Sequence, residues 1–248
     1  MRLFLHQLRY EQLIFWRSRE AAVFTFIFPL ILFLLLGSVY SGRVYGVPAS
    51  QALLSALLAY GCAVVCFAGL AITLVIRREN ALLKRLRATP LPIVVYIAGV
   101  LASTLAVFVL ETATLFVLGR IVYGTPWPGH IVSILLMLLL GTACFAALAV
   151  GLSGLIRSAE GSSAVVNLIV LPMAFLSGAF GPTHHYPRFL RAVGAVLPLK
   201  YFVDLSNAIY LHGHQLWDRP RAVGVLAAWG AAGLIVAIRR FRWEPREG

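Results

Sequence analysis

Six apolar runs divide this chain, at residues 21–40, 53–76, 93–118, 131–156, 162–179 and 222–238. Each lies near the ~20 residues that a helix needs to cross the hydrocarbon core of a bilayer. Backbone groups in lipid must be satisfied within the spanning structure, which leaves helices or a closed barrel. The runs are unbroken rather than alternating, so a barrel is excluded. Composition agrees: 60% of the 248 residues are hydrophobic and only 12% are charged, whereas a soluble domain carries about a quarter. The sequence therefore predicts an all-α polytopic membrane protein with six transmembrane helices, forming one transmembrane domain over residues 1–248.

In such a chain the net charge of +12 reports topology first, and nucleic acid is a poor explanation for it. With six spans both ends of the chain share one side, together with the loops after the second and fourth spans. Fourteen of the 21 Lys and Arg fall on that side and seven on the other. The basic side is thus expected to be cytoplasmic. The opening stretch, residues 1–20, is too rich in Arg and aromatics for the apolar core of a signal peptide. Leu5, Leu8, Phe15 and Trp16 fall on one side of a helix, with Gln12 and Arg19 intruding, which predicts an interfacial helix on the inner leaflet. The outer loop, 180–221, holds two apolar pieces separated by Pro198, each too short to span. Pro187 suits a first helical turn, and Pro198 ends one helix and permits another. Two short re-entrant helices before the last span are expected.

The stretch "RRENALLKRLRATPLP" (77–92) concentrates five of the chain's 21 Lys and Arg into eleven residues. On one continuous helix over 77–88, Leu82, Leu83 and Leu86 gather on one face and Arg77, Arg78, Lys84, Arg85 and Arg87 on the other. Glu79 falls among the leucines. A helix that only rests on lipid has little reason to place its one carboxylate there, whereas a helix docking into a protein groove can pair it with a basic group. The bland reading is a solvated basic loop that enforces orientation.

In the order and spacing of these features the chain resembles the permease subunits of type-2 ABC transporters, in particular the daunorubicin-type drug-resistance exporters. The resemblance covers nearly the whole chain and continues in "LPMAFLSGAFGPTHHYPRFLRAVGAVLPLKYFVDLSNAIY", which looks like the family's passage into the outer re-entrant helices. It implies that 77–92 is a coupling loop docking on a separate ATP-hydrolysing subunit through Glu79, Leu83, Lys84, Arg85, Leu86, Arg87 and Pro90. The transport pathway and gate are expected to involve Pro29, Glu111 and Pro172 inside the spans, with Gly178, Pro182, Pro198 and Tyr201 of the outer passage. A second permease copy, identical or related, and a bacterial plasma membrane complete the implied setting, with ATP and Mg held by the partner and no cofactor by this chain. Two departures stand out: Asn80 and Ala81 occupy a turn where the family suggests Gly, and Gly181 stands where an aromatic commonly precedes the proline.

No phosphate-binding GxxxxGK[ST] loop exists, since the only lysines are Lys84 and Lys200, neither beside a glycine. Enzyme chemistry has one further candidate, "GLSG" at 151–154, which resembles the GxSG of rhomboid-type proteases. That reaction needs a general base near the serine, and the sixth span contains no histidine; close helix packing is the expected role. Glu111 is the only acid well inside a predicted span, and a buried carboxylate is a functional candidate by default. It points to cation recognition or proton coupling, and hence to a gradient-driven secondary transporter as an alternative; Thr112, Thr114 and Arg120 offer a purely structural network instead. A membrane assembly factor that transports nothing would keep the same basic docking helix. His184, His185, His212 and His214 lie in the outer loop as ordinary interfacial residues with no metal expected, and Cys62, Cys66 and Cys144 read as packing thiols. Pro29 and Pro172 fall inside spans, where they can kink a helix. Gly224, Ala228 and Ala232, and Ala98, Ala102 and Ala106, have the spacing that lets helices approach closely.

Overall fold

Helix follows helix from Arg2 to Arg240 in the computed structural model, which describes residues 1–40, 42–44, 46–89, 91–181 and 183–240. Helix α1 (Arg2–Arg17) leads into α2 (Arg19–Val39). A short antiparallel hairpin, β1 (Arg43–Val44) and β2 (Val47–Pro48), returns the chain to the second span. That span is a composite of α3 (Ala49–Cys62), a π-helical segment Ala63–Gly69 and α4 (Leu70–Glu79). After α5 (Leu82–Arg87) come α6 (Ile93–Tyr123), α7 (Ile131–Ser153) and α8 (Ala159–Ser177). The short pair α9 (Arg188–Gly194) and α10 (Pro198–Tyr210) precedes a single 3-10 turn, Leu216–Asp218, and the last helix α11 (Pro220–Arg240). Six helices, counting α3 to α4 as one, are long and apolar enough to cross a membrane. The protein is an all-α polytopic membrane protein, as its apolar runs predict.

Local chemistry sets the ends. Ser158 precedes α8 and its hydroxyl accepts from the Gly161 N–H at 3.3 Å, satisfying one of the first-turn donors that a helix leaves unpaired. Gly178, at φ 85°, closes the same helix in the left-handed conformation that glycine adopts without a side-chain clash.

The second span is the axis of the bundle. Its most apolar window is 72% buried, against 17% for α2 and for α11, so the outer helices spend their apolar residues on lipid. Phe24, Ile27 and Leu35 of α2 and Ile235 and Ile238 of α11 are accordingly exposed. Re-entrant α10 wedges against α3, where the Ser55 and Ser206 hydroxyls meet at 2.8 Å. It turns 83° away from α9, so the expected pair of short outer helices is present.

Close packing of α7 on α11 uses glycines, but not the expected stripe. Gly224 has open space where a Cβ would stand, and Ala228 and Ala232 are exposed. The packed stripe is Leu226, Gly230, Gly233 and Ala237: a Cβ on Gly233 would lie 2.7 Å from the Leu148 backbone nitrogen. Small residues at four-residue spacing occur on both sides of this helix, and the side with true glycines permits the closer approach. Gly151 of the GLSG segment lies 3.0 Å from the Gly233 carbonyl by the same measure, which is the packing role expected for it.

Helix α1 turns polar residues inward beside Phe15, which packs on the core. Leu3, Leu5, Leu13, Ile14 and Trp16 point outward, while Gln7, Glu11 and Gln12 turn toward α6. Gln12, read from the sequence as an intrusion on an apolar face, donates to the Ser103 carbonyl at 3.0 Å and to its hydroxyl at 2.9 Å. Arg19 belongs to α2 instead. A helix lying between lipid and protein keeps its hydrocarbon for the lipid and its polar groups for partners that satisfy them.

Candidate functional site

The continuous helix expected over 77–88 is broken. Helix α4 ends at Glu79, Asn80 turns, and Ala81 holds the left-handed conformation, with φ 53° and ψ 17°, before α5 begins. A left-handed alanine costs roughly 1 kcal/mol. Ala81→Gly, which removes the Cβ that causes the clash, is expected to raise the melting temperature of the purified protein slightly; a fall would show that Ala81 makes a contact worth more than the strain.

The break separates two arginines from the three basic residues beyond it. Arg77 and Arg78 are not on a solvated face: they are 8% and 2% exposed. Arg77 forms a bidentate pair with Glu11 of α1, at 2.9 and 2.6 Å, and also donates to the Tyr96 hydroxyl at 3.0 Å. Arg78 points the other way and donates to the carbonyls of Ser153 and Ile156, both at 2.7 Å. Those carbonyls belong to the last turn of α7 and the loop after it, where a helix exposes unpaired acceptors and the negative end of its dipole. Two consecutive residues thus fasten the start of α5 to α1 on one side and to the α7–α8 loop on the other.

Beyond the break, Leu83 is fully buried in the core and holds α5 down. It is an anchor and not part of an outward face, a correction to the expected docking set. Leu82, Lys84 and Arg85 are exposed, with Glu79 and Leu86 half-buried beside them. The side chain of Arg87 and the whole of Pro90 lie outside the described residues, as does Pro182 of the expected gate. The Thr89 hydroxyl donates to the Leu86 carbonyl at 2.6 Å, closing α5 after little more than one turn. The result is a short basic knob on a rigid mount.

Glu111 forms a separate feature. It is 1% exposed, and neither carboxylate oxygen has a hydrogen-bond partner among the described residues. It lies over Gly61, where a Cβ would stand 2.6 Å from Oε1; the glycine makes its room. The structural network anticipated around it is absent: Thr114 donates to the Glu111 backbone carbonyl at 2.7 Å, Thr112 Oγ1 has no partner, and Arg120 reaches the Thr125 carbonyl at 3.4 Å. Two residues beyond Gly61 the π-helical segment starts, a departure that often accompanies functional positions and that nothing in the hydropathy of the span announces.

The other described gate residues stand on elements other than the α6 that carries Glu111. Pro29 is buried within an unbroken α2, and Pro172 is exposed within an unbroken α8. Pro198 opens α10, and the Tyr201 hydroxyl donates to the Ala195 carbonyl at 3.0 Å, bracing the corner between α9 and α10. Among the described residues no group of three or more His, Cys, Asp or Glu is arranged to hold a metal.

Six candidate spans thus carry, at one end of the bundle, a short basic helix whose root is held by two buried arginines. Residues 2–211 match the sequence profile of the ABC-2 type transporter family, and the chain belongs to that family. Among curated relatives, the inner membrane transport permease YhhJ of Escherichia coli K12 is 28% identical over 175 residues, covering 68% of this chain and 46% of that protein. The linearmycin resistance permease protein LnrN of Bacillus subtilis 168 is 21% identical over 174 residues, covering 70% of this chain and 45% of its own length. The chain thus spans less than half the length of these relatives. The family expected from the basic loop and the outer passage is the one found.

Proposed function

We propose that the chain is the membrane-spanning permease subunit of an ATP-driven exporter, in which α5 docks on a separate ATPase subunit that holds ATP and Mg. A second permease, identical or related, supplies the other half of the pathway. The observation that carries this reading is the exposed face of Leu82, Lys84 and Arg85 on a mount fixed by Arg77 and Arg78. Force applied to α5 passes directly into α1 and into the α7–α8 loop, since charge-assisted hydrogen bonds buried from water are short and stiff. The excess of Lys and Arg at this end favours a cytoplasmic position, with the protein in a bacterial plasma membrane. Amphipathic drugs or lipid-like molecules suit the apolar walls, and a relative named for linearmycin resistance supports that class.

Affinity purification from native membranes in mild detergent tests the reading. Wild type should bring down an ATPase subunit, and Glu79→Arg should lose it while remaining correctly inserted. Wild type recovered alone, from preparations in which other membrane complexes stay intact, would sink the assignment.

One observation favours a second reading, gradient-driven transport through Glu111: a carboxylate buried without a partner is costly unless it binds a proton or cation. Glu111→Gln, which keeps the shape and removes the charge, discriminates. ATP-dependent export should stay within about threefold of wild type, under 1 kcal/mol; abolition of transport driven by a proton or sodium gradient, with ATP absent, would transfer the function to Glu111.

A further inference from the structure

A cleft of ≈ 360 Å³ opens between α1, α2, α6 and the second span, beside the root of α5. Its walls are apolar, but Glu11 and Arg77, each more than nine-tenths buried, both line it. Thr25, Thr73 and Thr104 line it too. Ile14, Ser18, Ala21, Ile76 and Leu82 of its lining are exposed and mark where it opens. An ion pair at the wall of a cavity that faces hydrocarbon is an unusual thing for a bundle to keep, because buried charges cost more than packed apolar residues of the same volume.

We propose that this cleft binds the headgroup of a zwitterionic phospholipid of the phosphoethanolamine class, with the acyl chains leaving through the mouth. Glu11 and Arg77 cancel one another, so a ligand bringing a net charge leaves that charge uncompensated in a low dielectric. A zwitterion brings one charge for each. Arg77 uses its guanidinium for three hydrogen bonds, to both Glu11 oxygens and to Tyr96, and a guanidinium has five N–H donors; those remaining suit a phosphate. The Glu11 carboxylate accepts from Arg77 twice and from Gln7 once, and a carboxylate has about four acceptor sites; the remainder suits an ammonium. The Thr104 hydroxyl donates to the Val100 carbonyl at 3.0 Å and so can still accept. An ammonium with N–H donors satisfies these acceptors, and a trimethylated one has no hydrogen to give. The volume sits at the low end for small-molecule pockets, room for a headgroup and not for acyl chains. Arg77 stands two residues from the end of its span, the depth at which headgroups meet the hydrocarbon. Leu82, the first residue of α5, touches the cleft, so its occupant contacts the knob directly. The inference stands apart from ATPase docking, because its readout is lipid retained by this chain alone.

The test uses the full chain purified in mild detergent, offered equal amounts of phosphatidylethanolamine, phosphatidylcholine and phosphatidylglycerol, with retained lipid read by native mass spectrometry. One phosphatidylethanolamine per chain should be held, about tenfold in preference to either of the others, a difference of about 1.4 kcal/mol. Thr73→Phe fills the cleft from α4 without altering the ion pair and should abolish that preference at an unchanged melting temperature. Thr25→Phe fills it from the α2 side and should do the same, which covers the case in which the first variant misfolds. Equal retention of the three lipids, a preference for phosphatidylglycerol, or undiminished phosphatidylethanolamine on a well-folded cleft-filling variant would each overturn the proposal.

Discussion

Arg78→Ala should be among the most damaging single substitutions in the described chain, lowering stability by about 3 kcal/mol and loosening the α7–α8 loop. The guanidinium makes two short hydrogen bonds, to Ser153 and Ile156 carbonyls at 2.7 Å, from a side chain only 2% exposed. A hydrogen bond from a charged donor contributes about 1.5–3 kcal/mol, and each buried acceptor left empty carries its own desolvation cost. Loss of both from the same end of α7 also removes the positive charge that faces its dipole. Arg78→Lys should recover less than half, because one ammonium on a flexible stem does not span two carbonyls as a planar fork does. Thermal unfolding in detergent, with limited proteolysis at 154–158, reads both effects. A variant Arg78→Ala that melts with wild type and resists cleavage equally would mean that the carbonyls find other donors and that the mount is not rigid.

The spans themselves were legible because hydropathy over ~20 residues overrides every local preference in lipid. Their predicted limits fell short where charge lay at the ends: the second span runs to Glu79 and the third to Tyr123, past Arg77, Arg78 and Arg120. Counting an arginine as solvated is sound on average and fails where a carboxylate or a helix end waits for it. The break at Ala81 was hidden for a different reason. Alanine favours helix more than any other residue, so its left-handed conformation is imposed by the packing of Leu83 and the two arginine anchors and not by its own preference. Helix α1 was found as an amphipathic helix, yet its polar residues are the ones that dock. Sequence alone supplies the pattern but not the neighbour, and Gln12 became intelligible only with Ser103 opposite it. Glu111 reads correctly as a buried acid, while of the partners expected for it Thr114 and Arg120 bond elsewhere and Thr112 Oγ1 has no partner among the described residues.

Glu11→Leu and Arg77→Leu should each cost about 3–5 kcal/mol, the usual consequence of leaving one member of a buried pair uncompensated, whereas the two combined should melt within about 1 kcal/mol of wild type. In the Glu11 variant Arg77 keeps, among the described residues, the Tyr96 hydroxyl at 3.0 Å, a neutral acceptor for a full charge in an apolar wall. The double variant removes both charges and returns the volume as hydrocarbon, which lipid and core accept equally well. A strongly non-additive cycle is therefore the expected signature, the double variant costing less than either single one. Melting curves of the four proteins in one detergent supply it. Additive effects of under about 1 kcal/mol each would instead mean that water enters the cleft and screens the pair, as it does for exposed ion pairs. The two outcomes differ in what they say about α1: a coupled pair makes this helix part of the mount that holds α5, and a screened one leaves it held by Gln12 on Ser103 and by the packing of Phe15 and Trp16 on Phe26.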